Sequence, residues 1–227
     1  MIHIELHSHT NYSPDGVIRI SELGRWLKKK KIDKMAITDH NTIVGALEAQ
    51  RLMPEQIIVG QEIDVTYQGV QVGELLAYYV QEQIPGGTDV FDTIDALREQ
   101  GAFISFPHPK DTIRTRWTEA ALAKITPLVD GVEVYNSRCV RNQFNQNALA
   151  LANQYGKLRM VGSDAHSPQE IGRSYLQLNE FSNVETFKSS IAQSFEHCRR
   201  SSHWVHLISR KAALEYALNG KLGNDRT

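Results

Sequence analysis

The chain has very little cysteine and no long apolar segment. Its 227 residues include only two cysteines, Cys139 and Cys198, which excludes a disulfide-stapled secreted fold and favours a reduced setting. No apolar run approaches the roughly 18 residues that a membrane-spanning helix needs, and the first residues show no signal-peptide pattern. We therefore expect a cytoplasmic protein without a membrane partner.

The chain also has no excess of charge of either sign. It carries 25 Lys and Arg against 26 Asp and Glu, a formal net charge of −1, which argues against binding to long nucleic acid through a basic field. A hydrophobic share of 41% with 22% charged residues is typical of a globular protein. From the length we expect one domain over residues 1–227, with residues from about 201 to 227 as a packed C-terminal tail.

Apolar runs alternate with amphipathic segments along most of the chain. The predicted strands are Ile2–Leu6, Met35–Thr38, Ile57–Gly60, Ala102–Phe106, Val129–Tyr135 and Leu158–Gly162. The third continues into a hairpin formed by Glu62–Tyr67 and Val70–Val80. The predicted helices are Glu22–Lys31, Val44–Leu52, Thr88–Gly101, Thr118–Ile125, Asn142–Gln154, Val184–Gln193 and Lys211–Leu218. Strands interleaved with helices predict an α/β fold with a parallel sheet or barrel of six or seven units.

Histidine is unusually frequent, with nine copies, and its positions are not random. Histidines and carboxylates follow the predicted strands, and in a parallel barrel those strand ends meet on one face. This predicts a clustered metal site. The candidate ligands are His7, His9, Asp15, His40, Glu62, Glu74, His108, Asp164 and His166. Nitrogen and oxygen donors without thiolate suit Zn, Mn or Fe, and this number of donors suits two or three divalent ions.

Six short motifs in order resemble one known family. They are Leu6-His7-Ser8-His9-Thr10, Ser13-Pro14-Asp15-Gly16, Ile37-Thr38-Asp39-His40-Asn41-Thr42, Gly60-Gln61-Glu62, Pro107-His108-Pro109 and Gly162-Ser163-Asp164-Ala165-His166. The sequence is similar to the polymerase and histidinol phosphatase (PHP) family of metal-dependent phosphoesterases. That resemblance implies a distorted (β/α)7 TIM-like barrel with a two- or three-metal site at the C-terminal ends of the strands.

The resemblance also implies how the ligands divide among the ions. One ion would be held by His7, His9, Glu62 and Asp164, with Glu62 bridging to a second ion on His108, and a third would be held by Asp15, His40 and His166. Relatives commonly carry a histidine at the position of Glu74, in the run Glu74-Leu75-Leu76-Ala77. Glu74 either ligates the second ion and adds negative charge, or is a surface residue beside a weakened site.

Basic residues near the predicted ligands are candidates for binding the substrate phosphate. They are Lys110, Arg114 and Arg116, which follow His108, together with Arg138. The alternative for each is ordinary surface charge. Two residues near Arg138, Glu133 and Asn136, could orient a ligand histidine or could be packing residues. The remaining histidines, His3, His197, His203 and His206, are interpreted as structural, packing or surface residues.

The leading hypothesis is a hydrolase of phosphate esters. A metal-bound hydroxide would attack phosphorus, with Asp164 or His166 assisting proton movement. The expected substrate is a small phosphorylated metabolite or a nucleotide. Alternatives are an exonuclease-type phosphodiesterase on short nucleic-acid ends, an amidohydrolase-like metallohydrolase, and a metal-stabilised binding module. The sequence carries no signal for the oligomeric state.

Overall fold

A computed structural model describes residues 1–202 and 204–218. The strands are β1 (Ile2–Glu5), β2 (Lys34–Ile37), β3 (Ile57–Tyr67), β4 (Val70–Tyr78), β5 (Thr88–Asp89), β6 (Phe103–Phe106), β7 (Gly131–Asn136), β8 (Leu158–Gly162), β9 (Tyr175–Leu178) and β10 (Phe195–His197). The helices are α1 (Ile20–Lys30), α2 (Val44–Leu52), α3 (Val90–Glu99), α4 (Glu119–Ile125), α5 (Asn142–Tyr155), α6 (Val184–Ile191) and α7 (Val205–Leu218), with a 3-10 turn at Thr126–Leu128. No helix within these ranges is both long and apolar enough to cross a bilayer.

The strands form one barrel-shaped sheet that is nearly closed. Their order is β10-β9-β1-β2-β3-β4-β6-β7-β8, with β5 beside β3. Strands β1 to β3 are mutually parallel, as are β6 to β8, whereas β4 is antiparallel to both of its neighbours. The predicted α/β barrel is therefore confirmed. A uniform (β/α)7 repeat is not found in the described residues, because β4 follows β3 directly through the turn Gln68-Gly69, which has no room for a helix.

The two hairpin-turn residues explain why the chain reverses there. Gln68 and Gly69 both have positive φ, 54° and 76°, which is the backbone of the tight turn that matches strand twist. The hairpin pairs Asp64 with Glu74 and Glu62 with Leu76 across β3 and β4. Because side chains alternate along a strand, Glu62 and Glu74 lie on the same face of the sheet. The predicted hairpin thus delivers both glutamates to one side of the barrel.

In the barrel wall, β8 and β1 are connected by the loop segments that follow them, not by pairing of the two strands themselves. Ser8 and Ala165 form an isolated parallel bridge, in which His9 N donates to Ala165 O (2.8 Å) and Ala165 N donates to His7 O (3.2 Å). Beside β1 lie two antiparallel strands, β9 and β10, that the sequence analysis did not predict. They have only four and three residues and are partly exposed, so they lack a continuous apolar run.

Helix α7 occupies part of the segment expected to be a packed tail. It buries Val205, Ser209 and Ala212, and Ser201 N donates to Ser137 O (2.8 Å) just before it. His203 and residues 219–227, which the sequence analysis included in the tail, lie outside the described residues. The single domain expected over residues 1–227 stays a prediction.

At the end of the barrel away from the predicted ligands, aromatic rings pack around Phe187 of α6. Phe187 is fully buried, and its ring centroid lies 4.9 Å from Phe181, 5.4 Å from Phe103 and 5.6 Å from Tyr79. Edge-on and tilted arrangements such as these add to the stabilisation from burial. This cluster fixes α6 against the sheet.

Replacing the central ring of this cluster tests its contribution. We expect Phe187→Ala to lower the free energy of unfolding by about 3–5 kcal/mol, because it removes a large buried side chain and leaves a cavity. Denaturant unfolding followed by circular dichroism measures this. The matched control is Phe195→Ala, whose ring is 61% exposed and whose effect we expect within about 0.5 kcal/mol. Equal destabilisation by the two variants would contradict the assignment of the core.

Candidate metal centre

The nine candidate ligands come together at one end of the barrel, where the parallel strands have their C-terminal ends. Seven of them line a single cavity: Asp15, His40, Glu62, Glu74, His108, Asp164 and His166. The other two, His7 and His9, are buried directly against Glu62 and Asp164. The convergence follows from topology, because parallel strands place their carboxyl ends on the same barrel face.

Glu62 lies at the centre of the ligand set. Its Oε1 is 3.3 Å from both His7 Nε2 and His108 Nε2. Its Oε2 is 3.3 Å from His9 Nε2 and 3.1 Å from His40 Nδ1. A carboxylate with imidazoles around both of its oxygens could be shared between two ions.

Asp164 divides its two oxygens between the histidines and an arginine. Oδ1 lies 3.3 Å from His9 Nε2 and 3.5 Å from His7 Nε2, while Oδ2 accepts a hydrogen bond from Arg114 Nη1. Together with Glu62, these contacts gather the four residues that the family resemblance assigns to the first ion.

Glu74 lies with Glu62 and His108, and their potential ligand atoms are all within 4.8 Å of one another. Glu74 Oε2 is buried and has no hydrogen-bond partner among the described residues. Burial, together with the neighbouring Glu62 carboxylate, raises the pKa of Glu74 to about 7. An unpartnered buried carboxylate next to a second one fits a cation between them, and argues against the alternative of a surface residue.

Asp15, His40 and His166 meet on the opposite side of Glu62. Asp15 Oδ2 is 3.0 Å from His166 Nε2, and Asp15 Oδ1 is 3.7 Å from His40 Nε2. The turn that carries Asp15 needs Gly16, since a Cβ there would lie 1.9 Å from Thr10 O. Val17 N donates to His166 O (2.8 Å) and ties this turn to the His166 loop.

Polar neighbours fix the orientation of the ligand histidines. His7 Nδ1 donates to Glu133 Oε1 (2.9 Å), which leaves Nε2 directed at the cluster. Glu133 Oε2 accepts from His108 N and from Asn136 Nδ2, both at 2.9 Å. Glu133 therefore holds two ligand segments at once, which favours the orienting interpretation of Glu133 over simple packing.

A second orienting pair, Ser13 and Asp39, was not predicted from the sequence. The Ser13 hydroxyl donates to Asp39 Oδ1 (2.8 Å), so it accepts from His9 Nδ1 (3.2 Å) and His40 N (3.1 Å). Asp39 also accepts from Thr10 N and Thr10 Oγ1. Both residues stand inside recognisable motifs, but only the folded loop shows that Ser13 links Asp39 to His9.

Two of the ligands have strained backbone conformations. His108 has φ of 30° and Asp164 has φ of 53°, in the left-handed region that non-glycine residues seldom adopt. Strain of this kind persists where surrounding contacts over-determine the conformation, and it concentrates at functional sites. Here it turns each side chain from the end of its strand into the shared cavity.

The donor atoms fit divalent cations. Several are buried without a hydrogen-bond partner among the described residues: His7 Nε2, His9 Nε2, Asp15 Oδ1, Glu62 Oε1 and Glu74 Oε2. Burial opposes ionisation of Glu62, but the adjacent His7 and His40 lower its pKa well below the usual range. Burial and the neighbouring imidazoles of His166 and His40 lower the pKa of His9 to about 3, which keeps it neutral and able to ligate.

Of the four predicted phosphate-binding residues, the structure brings two into the cavity. Arg114 and Arg138 line it. Lys110 does not, because its Nζ lies 2.7 Å from both oxygens of Glu119. Arg116 lies in an adjoining groove that shares Arg114 and Glu74 with the site. His206, which the sequence analysis interpreted as a surface or packing residue, lines the cavity, since α7 packs over the barrel mouth.

The sequence matches the PHP domain family over residues 5–223. The chain belongs to the PHP domain family. It is 34% identical over 190 residues to an uncharacterised protein of Methanocaldococcus jannaschii, a match that covers 80% of this chain and 72% of the relative. Family membership identifies the protein as a metal-dependent phosphoesterase, a hydrolase that uses divalent metal ions.

Solved structures support the same fold. A protein of Bifidobacterium adolescentis, assigned provisionally as a metal-dependent phosphoesterase, superposes with a TM-score of 0.62 at 17% identity, covering 84% of this chain and 96% of that one. A lesion-specific endonuclease of Pyrococcus furiosus gives 0.62 at 14% identity, covering 85% of this chain and 56% of that one. At these identities the likeness concerns the fold alone.

The role of Glu133 in this PHP domain can be tested by an isosteric change. In Glu133→Gln, the NH2 of the new side chain must face either the His7 donor or the donors of His108 and Asn136. Two donors then face each other, so that contact becomes repulsive. We expect metal affinity to fall about 10- to 100-fold, measured by competition with a chelating indicator. The control is Glu99→Gln, at an exposed position. Unchanged affinity in Glu133→Gln would refute the orienting role.

Ligation by Glu74 can be tested by counting bound metal. We expect Glu74→Ala to lose about one equivalent of metal, and Glu74→His to retain it, because an imidazole supplies a replacement donor. Elemental analysis after dialysis gives the stoichiometry. Asp64→Asn is the matched control. Asp64 pairs with Glu74 across the hairpin, but its carboxylate accepts a hydrogen bond from Asn41 and is not a candidate ligand. A wild-type metal count in Glu74→Ala would exclude Glu74 as a ligand.

Proposed function

We propose that this PHP domain is a phosphomonoesterase that acts on small phosphorylated metabolites or nucleotides. The observation that carries the proposal is the composition of one cavity of about 300 Å³, which combines metal-ligating side chains with two arginines, Arg114 and Arg138. The ligand set suits divalent ions, and a guanidinium offers paired donors to phosphoryl oxygens. Together they form a site for a phosphate group.

Arg114 is held in place for this role by three acceptors. Its Nε donates to Asp111 Oδ2 (2.9 Å), its Nη2 donates to Asn136 Oδ1 (3.2 Å), and its Nη1 donates to Asp164 Oδ2. Asp111 is itself buried. A guanidinium fixed on several sides before substrate binds costs little entropy when it contacts developing charge on the phosphoryl group.

The ions, two or three of Zn, Mn or Fe in this proposal, would supply Lewis-acid polarisation of the phosphoryl oxygens and an activated water. Around them, His7, His9, Glu62 and Asp164 would hold the first ion, Glu62, Glu74 and His108 the second, and Asp15, His40 and His166 the third. We assign proton movement to Asp164 or His166. His166 Nδ1 donates to Asp164 O (2.9 Å), so its Nε2 is the atom that faces Asp15 and the cavity.

A monoester suits the cavity better than a diester strand. The residues found to line it are aspartate, glutamate, histidine and arginine, with no Phe, Tyr, Trp or aliphatic side chain among them. Proteins that bind single-stranded nucleic acid stack bases on aromatic rings, and this lining provides none from the described residues. Recognition therefore depends on the phosphate, whose monoester form presents three unsubstituted oxygens, while the leaving group extends outward.

A substrate panel tests the proposal. We expect the Mn- or Zn-loaded protein to hydrolyse p-nitrophenyl phosphate and nucleoside monophosphates at least about tenfold faster than bis(p-nitrophenyl) phosphate, and to lose activity with EDTA. Arg114→Ala should lower kcat/KM for monoesters about 100-fold with unchanged metal content, because a fixed donor to the phosphoryl group is removed.

The control variant is Arg25→Ala, whose side chain is 72% exposed on α1, and it should match the wild type. Faster cleavage of diesters or of short oligonucleotide ends would replace the proposal with an exonuclease-type activity. Amide hydrolysis without phosphate release would indicate an amidohydrolase-like reaction.

A further inference from the structure

Helix α7 contributes to the candidate site from outside the barrel strands. It follows the contact between Ser201 N and Ser137 O (2.8 Å), which attaches the segment next to the end of β7. His206, in its first turn, lines the same cavity as the metal-ligand set. The C-terminal helix therefore forms part of the cavity wall.

The contact between α7 and the barrel runs through Arg138. This arginine is 6% exposed, its Nη2 donates to Ser209 Oγ (2.6 Å), and the same nitrogen lies 3.5 Å from His206 Nδ1. Arginine has donors only, so Nδ1 of His206 acts as the acceptor. A neutral His206 in this arrangement carries its proton on Nε2.

Arg138 also connects α7 to the loop that carries a metal ligand. Its Nε lies 3.6 Å from Glu170 Oε1. The other oxygen of Glu170 accepts from His166 N (3.1 Å) and from Ser167 N (2.9 Å). A continuous set of polar contacts thus joins α7, Arg138 and the His166 loop.

Hydrophobic packing accounts for only part of the orientation of α7. The helix buries Val205, Ala212 and the polar Ser209, whereas Leu207 and Leu214 are 52% and 60% exposed. A surface helix ordinarily turns its large apolar residues towards the core. Here the inward face combines two small apolar residues with the polar residues that contact Arg138.

We propose that α7 forms one wall of the phosphate site, and that His206 is a substrate-binding residue that donates from Nε2 to a phosphoryl oxygen beside Arg138. This inference rests on the proposed phosphomonoesterase function. It assigns selectivity for a terminal phosphate to a helix that does not belong to the barrel. Ser209 is a positioning residue, because it acts on the substrate through Arg138.

The test measures binding of inorganic phosphate to the metal-loaded full-length protein by calorimetry, with metal content determined in parallel. We expect His206→Ala to weaken phosphate binding about tenfold at unchanged metal content, the loss of about one charge-assisted hydrogen bond. His206→Gln, whose amide can reach the Nε2 position, should bind within about threefold of the wild type. His206→Asn, whose amide reaches only the Nδ1 position, should behave like the alanine variant.

Two further variants separate this role from a structural one. Ser209→Ala should weaken phosphate binding about threefold, and Lys211→Ala, on the exposed side of α7, should match the wild type. KM for p-nitrophenyl phosphate should follow the phosphate dissociation constant, while kcat changes less.

The inference is overturned if His206→Ala binds phosphate like the wild type, or if His206→Ala and His206→Gln both lose metal or fold stability. It is also overturned if the wild-type protein binds no phosphate. If the phosphate affinities of the wild type and the variants follow the predicted order but the wild type hydrolyses no ester, the proposed function fails. The role of His206 in phosphate binding then stands.

Discussion

The site depends on one buried carboxylate, Glu62, that contacts four imidazoles. Its position is fixed by the backbone as well as by its side chain: Glu62 N donates to Asp39 O (3.3 Å), and Asn41 N donates to Glu62 O (2.8 Å). These bonds join the middle of β3 to the loop after β2, which is also the loop that carries His40. A carboxylate in the interior is costly unless cations or donors surround it, so the histidines around Glu62 stabilise the fold, and metal ions bound there would add to that stabilisation.

The same requirement explains how charge is arranged around the cavity. Four carboxylates line it, Asp15, Glu62, Glu74 and Asp164, in a chain whose overall formal charge is only −1. Like charges at such separation repel strongly in a region of low dielectric. Arg114 and Arg138 offset part of that repulsion, and divalent ions would offset the rest and leave the mouth attractive to a phosphate. Net charge of the whole chain therefore says little about the local field that a substrate meets.

The sequence could point to candidate metal ligands because most of them lie in or directly after a predicted strand, in short motifs that can be recognised without knowledge of distant packing. His7, His9 and His108 illustrate this, and the α/β barrel follows from the same alternation of elements. Prediction from the sequence did not extend to side chains whose positions are determined by tertiary packing. Lys110 turns away to Glu119, and His206 reaches the cavity only because α7 folds back over the mouth. The antiparallel strands β9 and β10 were missed because they have only four and three residues, too few to show a clear alternation of apolar and polar residues. The hairpin that contains β4 was predicted from the sequence. The expectation of uniform βα units nevertheless left no place for an antiparallel strand in the barrel.

The bridge between Ser8 and Ala165 has a consequence for how the protein moves. In the described strands, the lateral joint between β1 and β8 is made by the segments that carry His7, His9, Asp164 and His166, above the sheet itself. An ion bound by these residues would hold the two segments together, and its release would weaken the same joint. Transient opening of the barrel wall and exchange of metal would then be linked equilibria, so the two loops would contribute to the integrity of the fold as well as to metal retention.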